Sequence, residues 1–313
     1  MVTGGAGFVG VNLIKRLLDE GADIRATLHI NKPVLNDNRI EYFYGDLRIE
    51  ENCQKAVAGV DYVFMCAANT SGAKVMATTP LVHLTPNILM NMQMLQAAYT
   101  ARVKKFLFIS TNTVYPLTDF PVKESDVTNN FYESYHIVAW MKRFTEIVCE
   151  MYSNRIKEPM KTIVVRPGNL YGPYDKFDWE KSKVIPAIMR RAIERHDPFE
   201  VWGDGMDLKD FLYIDDCIEA TLKLFDSDFH GPINIGSEEK VSINEMIDKI
   251  EKIADKKVKR NYQLDKPKGV RGRNSDNTLI RHQLNWEPKF SLYQGLEKTY
   301  KWIFTEIKKK HNQ

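Results

Sequence analysis

Residues 2–18 read VTGGAGFVGVNLIKRLL. Gly4, Gly7 and Gly10 recur at every third position, and apolar residues at helical spacing follow at once. Glycines placed this way permit a tight turn and let the backbone approach a pyrophosphate at the positive end of a helix. A glycine-rich turn alone is a weak signal, but this one opens a helix inside a strand–helix alternation. The stretch therefore predicts a dinucleotide-binding turn, with Gly4, Gly7, Phe8, Val9 and Gly10 as candidate cofactor contacts. Only Met1–Thr3 precede the turn, so the first strand is expected to be almost absent, with residues missing upstream.

Outward from the turn, β-rich runs alternate with amphipathic ones. IRATL (24–28), IEYFYG (40–45), DYVFMC (61–66), KFLFIS (105–110) and KTIVVR (161–166) read as strands. Residues 11–21 read as a helix closed by Gly21, and 86–101 and 136–152 carry apolar residues at helical spacing. This alternation predicts an α/β fold: a Rossmann-like, doubly wound parallel sheet. Past about residue 170 the pattern loosens into helical runs at 183–195, 215–225 and 243–254, with short strands FEVWG and PINIG between them. The expected division is a dinucleotide-binding domain over 1–170 and a smaller lobe over 171–313, with parts of 205–240 returning to the first. The methionine-rich run 89–94 reads as core or dimer-contact surface.

The 313 residues carry a net charge of +3, too small to imply nucleic acid or an acidic membrane surface. No run reaches the length of a membrane span. Cys53, Cys66, Cys149 and Cys217 form no CxxC or Cys/His cluster, so no metal site is expected, and the thiols read as reduced ones of a cytoplasmic protein. The terminal KKKHNQ reads as a solvated tail.

Cofactor type is less sharply written. The acid that would hold an NAD ribose is expected near Leu28, yet none follows until Asp37. His29 and Lys32 lean the electrostatics toward a 2′-phosphate, so NADP stands beside NAD. Asp46 in YGDL is placed for an adenine edge, with a surface-turn role nearly equal to it.

TGGAGFVG, GDL, FMCAA, FISTNTVYP, the Lys142 helix, VVRPGNLYGPYD, VWGDGMDLKDFLYIDD and NIGS fall in this order along nearly the whole chain. Together they resemble the extended short-chain dehydrogenase/reductase family, in particular its nucleotide-sugar epimerases and dehydratases. The resemblance adds Leu47, Ala67 and Ala68 as cofactor contacts and implies hydride transfer between a sugar carbon, usually C4, and a nicotinamide. In that family a tyrosine four residues before a lysine takes the hydroxyl proton, and a Ser/Thr at a strand end holds the hydroxyl. A phenol needs a nearby cation before it can act as a base near neutral pH, and residues four apart share a helix face.

Here Lys142 and Glu146 keep the Lys-x-x-x-Glu frame, but Val138 stands where the tyrosine belongs. Tyr135 is seven residues before Lys142, about 10 Å along a helix axis on the same side. It is a candidate for a displaced base, and a structural tyrosine at the helix start is an equal reading. Thr111 matches the family's Ser/Thr. Asn112 and Thr113 follow it, not the Asp–Glu pair of a 4,6-dehydratase. Thr113 and Tyr174 stand where a fucose-synthase-like enzyme would place its cysteine and histidine. Chemistry at one carbon is what these substitutions leave.

On the substrate side the resemblance implies Asn169 as a diphosphate or sugar contact and the helix start at Val184 as a nucleotide contact, with Arg190 and Arg191 as nearby cations. Lys209 occupies a position where arginine is usual, and Arg273, with Arg271 as the alternative, is the candidate phosphate clamp. Ser71, in NTSGAK, is a candidate sugar contact. The expected activity is an NAD(P)-dependent oxidation at C4 of a GDP-hexose or GDP-heptose, giving a 4-keto sugar. A 4-epimerase, or a non-catalytic dinucleotide-binding protein, is the alternative. A homodimer through helices 86–101 and 136–152 is expected, as in the family.

Overall fold

The computed structural model describes residues 1–70, 79, 81–179, 182–194, 198–265 and 274–311. Four strands, β3 (Tyr62–Met65), β4 (Lys105–Ile109), β5 (Lys161–Pro167) and β9 (Gly231–Ile235), pair in that order, all parallel. Strands β1 (Ile24–Leu28) and β2 (Ile40–Tyr44) form a parallel pair beside them. Residues 1–3 join the two sets. Val2 bridges Ala26 on one side and Phe64 on the other, both in parallel sense. Val2 N donates to Arg25 O at 2.8 Å, and Thr3 N donates to Phe64 O at 3.0 Å. The segment expected to be almost absent thus pairs on both edges and completes the sheet. In chain order the sheet runs third, second, first, fourth and onward, and its switch point lies between residues 1–3 and β3. Ligands of such sheets bind outside the strand ends at that point.

The strands alternate their burial between two cores. Ile163 and Val165 of β5 join Leu13, Ile14, Cys217 and Ile218 on one face, where α1 (Phe8–Asp19) meets α6 (Ile214–Asp226). Phe106, Phe108 and Val164 join Met94, Leu95 and Cys149 on the other. There α2 (Glu50–Val57), α3 (Leu81–Thr100) and α4 (His136–Asn154) pack in sequence. The methionine run falls on this side: Met94 is core, and Met90 and Met92 pack partly buried against it.

Three boundaries differ from expectation. Helix α1 begins at Phe8, three residues before 11, because the glycine turn itself carries the first turn of helix; Gly21 still closes it at φ +81°. Helix α3 begins at Leu81 and tolerates Pro86 in its first turns. The basic tail is exposed at Lys308–His311, as expected, and is helical. Leu292–His311 is one helix, and Lys308 and Lys310 lie over the rings of Phe304 and Phe177 at 4.4 and 4.9 Å.

Outside the main sheet, the C-terminal half of the chain forms α5 (Val184–Glu194), the parallel pair β7 (Phe199–Trp202) and β11 (Arg260–Gln263), and α7 (Ile243–Ala254). It also holds a sheet in the order β10 (Lys240–Ser242), β8 (Leu208–Tyr213), β6 (Asn169–Tyr171). Helix α7 is fixed by a capping box between Ser242 and Glu245.

Candidate active site

At the switch point the glycines are required by contact. Gly4 sits at φ +70°, and a Cβ there would lie 2.9 Å from the Cα of Ala67. A Cβ on Gly10 would lie 2.3 Å from Gly4 O, so the helix can begin this close to the turn only without one. Gly7 caps α1 with no side chain bonded to its first amides. Thr3 Oγ1 accepts from the amides of Cys66 and Ala67 at 3.0 and 2.9 Å, which locks the end of β3 against the turn. Gly4, Gly10 and Ala67 are thus packed backbone to backbone, with Gly7, Phe8 and Val9 opening α1 beside them and Ala68 following Ala67. Uncapped amides at a helix start can hold an anion such as a pyrophosphate.

Further along the same edge, Asp46 accepts from Arg48 at 2.6 Å and lies 3.8 Å from His29 Nε2. The Arg48 side chain holds its carboxyl well below the ordinary range, at about 2. His29 thus faces a carboxylate that stands just past the end of β2. Leu47 is buried beneath, its carbonyl bonded to the Cys53 thiol.

The other wall is built by α4 against the ends of β4 and β5. Lys142 Nζ donates to Ile109 O at 2.7 Å and lies 4.7 Å from the centre of the Phe108 ring. This brings its amine to the end of β4, two residues from Thr111. Burial pushes Lys142 down to about 8. Thr111 Oγ1 accepts from Thr113 N at 3.2 Å and from Thr113 Oγ1 at 3.0 Å. With its lone pairs engaged, its own proton is the group left to offer. Tyr135 caps the helix at φ −118°, ψ 5° and is not part of it. Its ring packs on Tyr132 at 5.7 Å. Val138 lies half-buried between the two levels, one turn before Lys142.

A buried ion pair that the sequence reading did not pick out holds this wall. Arg166, 1% exposed, bonds both oxygens of Glu146 at 2.9 and 2.7 Å. Its remaining nitrogen donates to Tyr115 Oη at 2.8 Å, and Tyr115 donates to Asn234 at 2.6 Å. Ser110 donates to the same Glu146 carboxylate at 2.5 Å. The signal was present: an arginine inside the apolar run VVRP must find a buried partner.

The C-terminal half supplies the remaining candidates. Asn12 of α1 donates to Pro173 O at 2.9 Å and so ties the cofactor helix to the YGPYD turn. Val184 opens α5, and Lys183 just before it lies 5.1 Å from the Phe8 ring and 3.6 Å from Asp175. Asn169 donates to Asp210 O at 2.9 Å. Lys209, half-buried on β8, is lowered by burial against the opposing pull of Asp207 and Asp210. Arg190 donates to Phe177 O and to Glu194, and the guanidiniums of Arg190 and Arg191 lie 4.5 and 5.5 Å from the Trp179 ring. Both therefore have partners inside the protein. Ser71, Arg271 and Arg273 lie outside the described residues. Among the described residues no group of His, Cys, Asp and Glu side chains could hold a metal ion.

A glycine turn at the switch point of a parallel sheet, faced by a lysine and a threonine at the end of β4, defines a Rossmann-type dinucleotide-dependent enzyme. The profile of the NAD dependent epimerase/dehydratase family matches residues 1–236, and the chain belongs to that family. It is 36% identical over 319 residues to GDP-mannose 3,5-epimerase 1 of Oryza sativa subsp. japonica, covering 100% of this chain and 83% of that protein. It is 30% identical over 321 residues to GDP-L-fucose synthase 1 of Arabidopsis thaliana, covering 98% and 93%. Among solved structures, UDP-glucuronic acid 4-epimerase from Bacillus cereus, in complex with UDP-glucuronic acid and NAD, superposes with a TM-score of 0.84 at 26% identity, covering 97% of this chain and 98% of that one. UDP-glucose 4-epimerase of Thermotoga maritima superposes with a TM-score of 0.88 at 24% identity, covering 98% of each chain. The family is NAD-dependent, in keeping with NAD as the expected cofactor.

Proposed function

We propose that this enzyme oxidises C4 of a GDP-linked hexose or heptose to a 4-keto sugar, using NAD. The relatives named for GDP-mannose and GDP-fucose chemistry support the nucleotide. One observation carries the choice of a single carbon. Thr113, where C3/C5 chemistry would need an acid–base group, spends its hydroxyl proton on Thr111 at 3.0 Å. Tyr174 is likewise occupied, in contact with Lys15 and with the Trp302 ring.

In this reading the glycine turn, Asp46, Leu47, Ala67 and Ala68 hold the dinucleotide, with His29 at the rim and Lys142 at its ribose. The bound NAD supplies a hydride acceptor. Thr111 donates a hydrogen bond to the sugar oxygen, and Tyr135 stands on the sugar side, two turns out from Lys142. Residues 171–313, less the part of 205–240 that returns to the sheet, form the sugar-nucleotide lobe, with Asn169, the amides at Val184, and Lys209 turned to the diphosphate. Ser71 and Arg273 complete the assignment by resemblance. A 4-epimerase would need the keto sugar to be reduced again from its other face, and the absence of a phenol at 138 weighs against it.

The exposed apolar side chains of Leu89, Trp140, Phe144 and Met151 on α3 and α4 support a homodimer through these helices. Four free thiols support a cytoplasmic setting. No described helix is long and apolar enough to cross a membrane.

The test is a panel of nucleotide sugars with NAD, followed at the absorbance of the reduced nicotinamide, for the wild type, Lys142→Met and Thr111→Val. Reduction with a GDP-sugar, lost in both variants, is the expected result. No sugar-dependent signal with any member would overturn the reading.

A further inference from the structure

We propose that Tyr115 and Asn234 are positioning residues that hold Thr111 at a fixed spacing from residues 274–276, a strap on the sugar side of the site. This deepens the reading above, in which Thr111 donates to the sugar oxygen, and rests on it. Thr111 caps the short turn Asn112–Val114, and Tyr115 closes it. The residues on either side of that turn are tied to one guanidinium. Ser110 donates to Glu146, which Arg166 holds, and Arg166 donates to Tyr115 Oη at 2.8 Å. Arginine can only donate, so the Tyr115 proton goes onward, to Asn234 Oδ1 at 2.6 Å. The Tyr115 ring is fully buried, in a small apolar cluster with Val114 and Val122.

Asn234, on β9 and wholly buried, carries the tie to the strap. Its Nδ2 donates to Val122 O at 2.8 Å and to Asp276 O at 3.3 Å, and its backbone N–H donates to Glu124 Oε1 at 2.8 Å. Val122 pairs in parallel sense with Ser275. Val122 N donates to Asn274 O at 2.9 Å, and Asp276 N donates to Val122 O at 2.8 Å. Arg166 reaches the same loop again at Glu124 O, 3.1 Å away. Both ends of the loop 115–124 therefore stand on Arg166 and Asn234. The strap lies beside the candidate diphosphate contact, Asn169. A Cβ on Gly236 would lie 2.6 Å from Ser275 Cβ and 3.4 Å from Asp210 Oδ2, and Asn169 donates to that same carboxylate at 3.2 Å.

Each link from Glu146 to Asp276 is a made hydrogen bond, and a satisfied buried network rigidifies what it joins. An apolar side chain at 115 would fill the same volume without setting a spacing, because apolar burial is non-directional. The spacing matters because displacing a reacting group by about 1 Å costs about 10² in rate. The role inferred is orientation. Tyr115 acts through Thr111, and neither Tyr115 nor Asn234 exchanges a proton with the sugar.

Tyr115→Phe removes the hydroxyl and keeps the ring. The first readout is amide hydrogen exchange of the full chain with NAD and without any sugar. The amides at positions 115, 122 and 276 should exchange faster together, by at least about tenfold, while that of Val11, bonded to Gly7 O, stays within about twofold. Asn234→Ala, which opens the same route one link further on, should accelerate the same three. Acceleration at one end of the route alone, in either variant, would overturn the proposal. The second readout is kcat with a GDP-sugar and NAD. Tyr115→Phe should lower it about 10–10²-fold while NAD affinity holds within about twofold. Thr145→Val, which breaks a buried hydrogen bond to Asn91 between α3 and α4, should leave kcat within about twofold. An equal loss there would show a general structural effect and overturn the proposal. In a Thr111→Val background Tyr115→Phe should have no further effect on kcat, and additive losses would also overturn it. The exchange readout contains no sugar, so coupled exchange without turnover would count against the C4 reading and not against the tether.

Discussion

Arg166 and Glu146 meet through two hydrogen bonds of 2.9 and 2.7 Å with both side chains almost fully removed from water. The pair fastens α4 to β5 directly behind Thr111 and Lys142, so it sets where the reactive wall stands. Removing one partner leaves the other charge buried and uncompensated, a cost of about 3–5 kcal/mol. Glu146→Gln should lower the urea midpoint accordingly. A loss below about 1 kcal/mol would show that the pair does not hold the wall.

The glycine turn makes a sharper geometric prediction. A Cβ on Gly10 would sit 2.3 Å from Gly4 O, a backbone atom that cannot swing aside. Gly10→Ala should cost about 1–3 kcal/mol in overpacking. By displacing the glycine turn it should also weaken NAD binding at least about tenfold, as read by calorimetry. The same substitution at Gly59, where nothing lies within 4 Å of the added atom, should leave NAD affinity intact.

Lys142 also gives stability a pH signature. Its pKa in the fold is about 8, against 10.5 ordinarily. Between those values the unfolded chain binds more protons, so this residue's contribution to stability rises with pH. Below about 8 it is charged in both states, and the cost of burying the ammonium is fully present. Lys142→Met should melt higher than wild type at pH 7, and the difference should shrink as pH climbs through the window from 8 to 10.5. A difference constant across that window would mean that the amine does not titrate there.

Val138→Tyr places a phenol one turn before Lys142, where the amine can lower its pKa. Turnover near pH 7 should rise, as read from kcat profiles. An unchanged profile would mean that position 138 does not face the reacting end.

Much of this was legible in the sequence because its signals are local. The glycine spacing, the β runs and the Lys-x-x-x-Glu frame each depend on neighbours a few residues away, and each is matched by an element of the fold. What was not legible depends on distance in space. Arg166 finds Glu146 only when β5 lies beside α4. The carboxylate near His29 comes from Asp46, at the end of a different strand. Thr113 stands at the cysteine position in the sequence, and only the fold places its hydroxyl on Thr111. The first strand is as short as expected, reduced to bridges at Val2, yet that residue pairs on both sides. The basic C-terminus is exposed at Lys308–His311 as its charge implies, whereas the helix that carries it is fixed by packing of residues such as Leu296 and Ile303 against the core.

The most direct measurement uses a GDP-hexose carrying deuterium at C4, incubated with the enzyme and NAD. The reading predicts a 4-keto sugar without the label and a reduced nicotinamide that carries it. Label found in neither place, or exchange confined to C3 and C5 with C4 untouched, would contradict oxidation at that carbon.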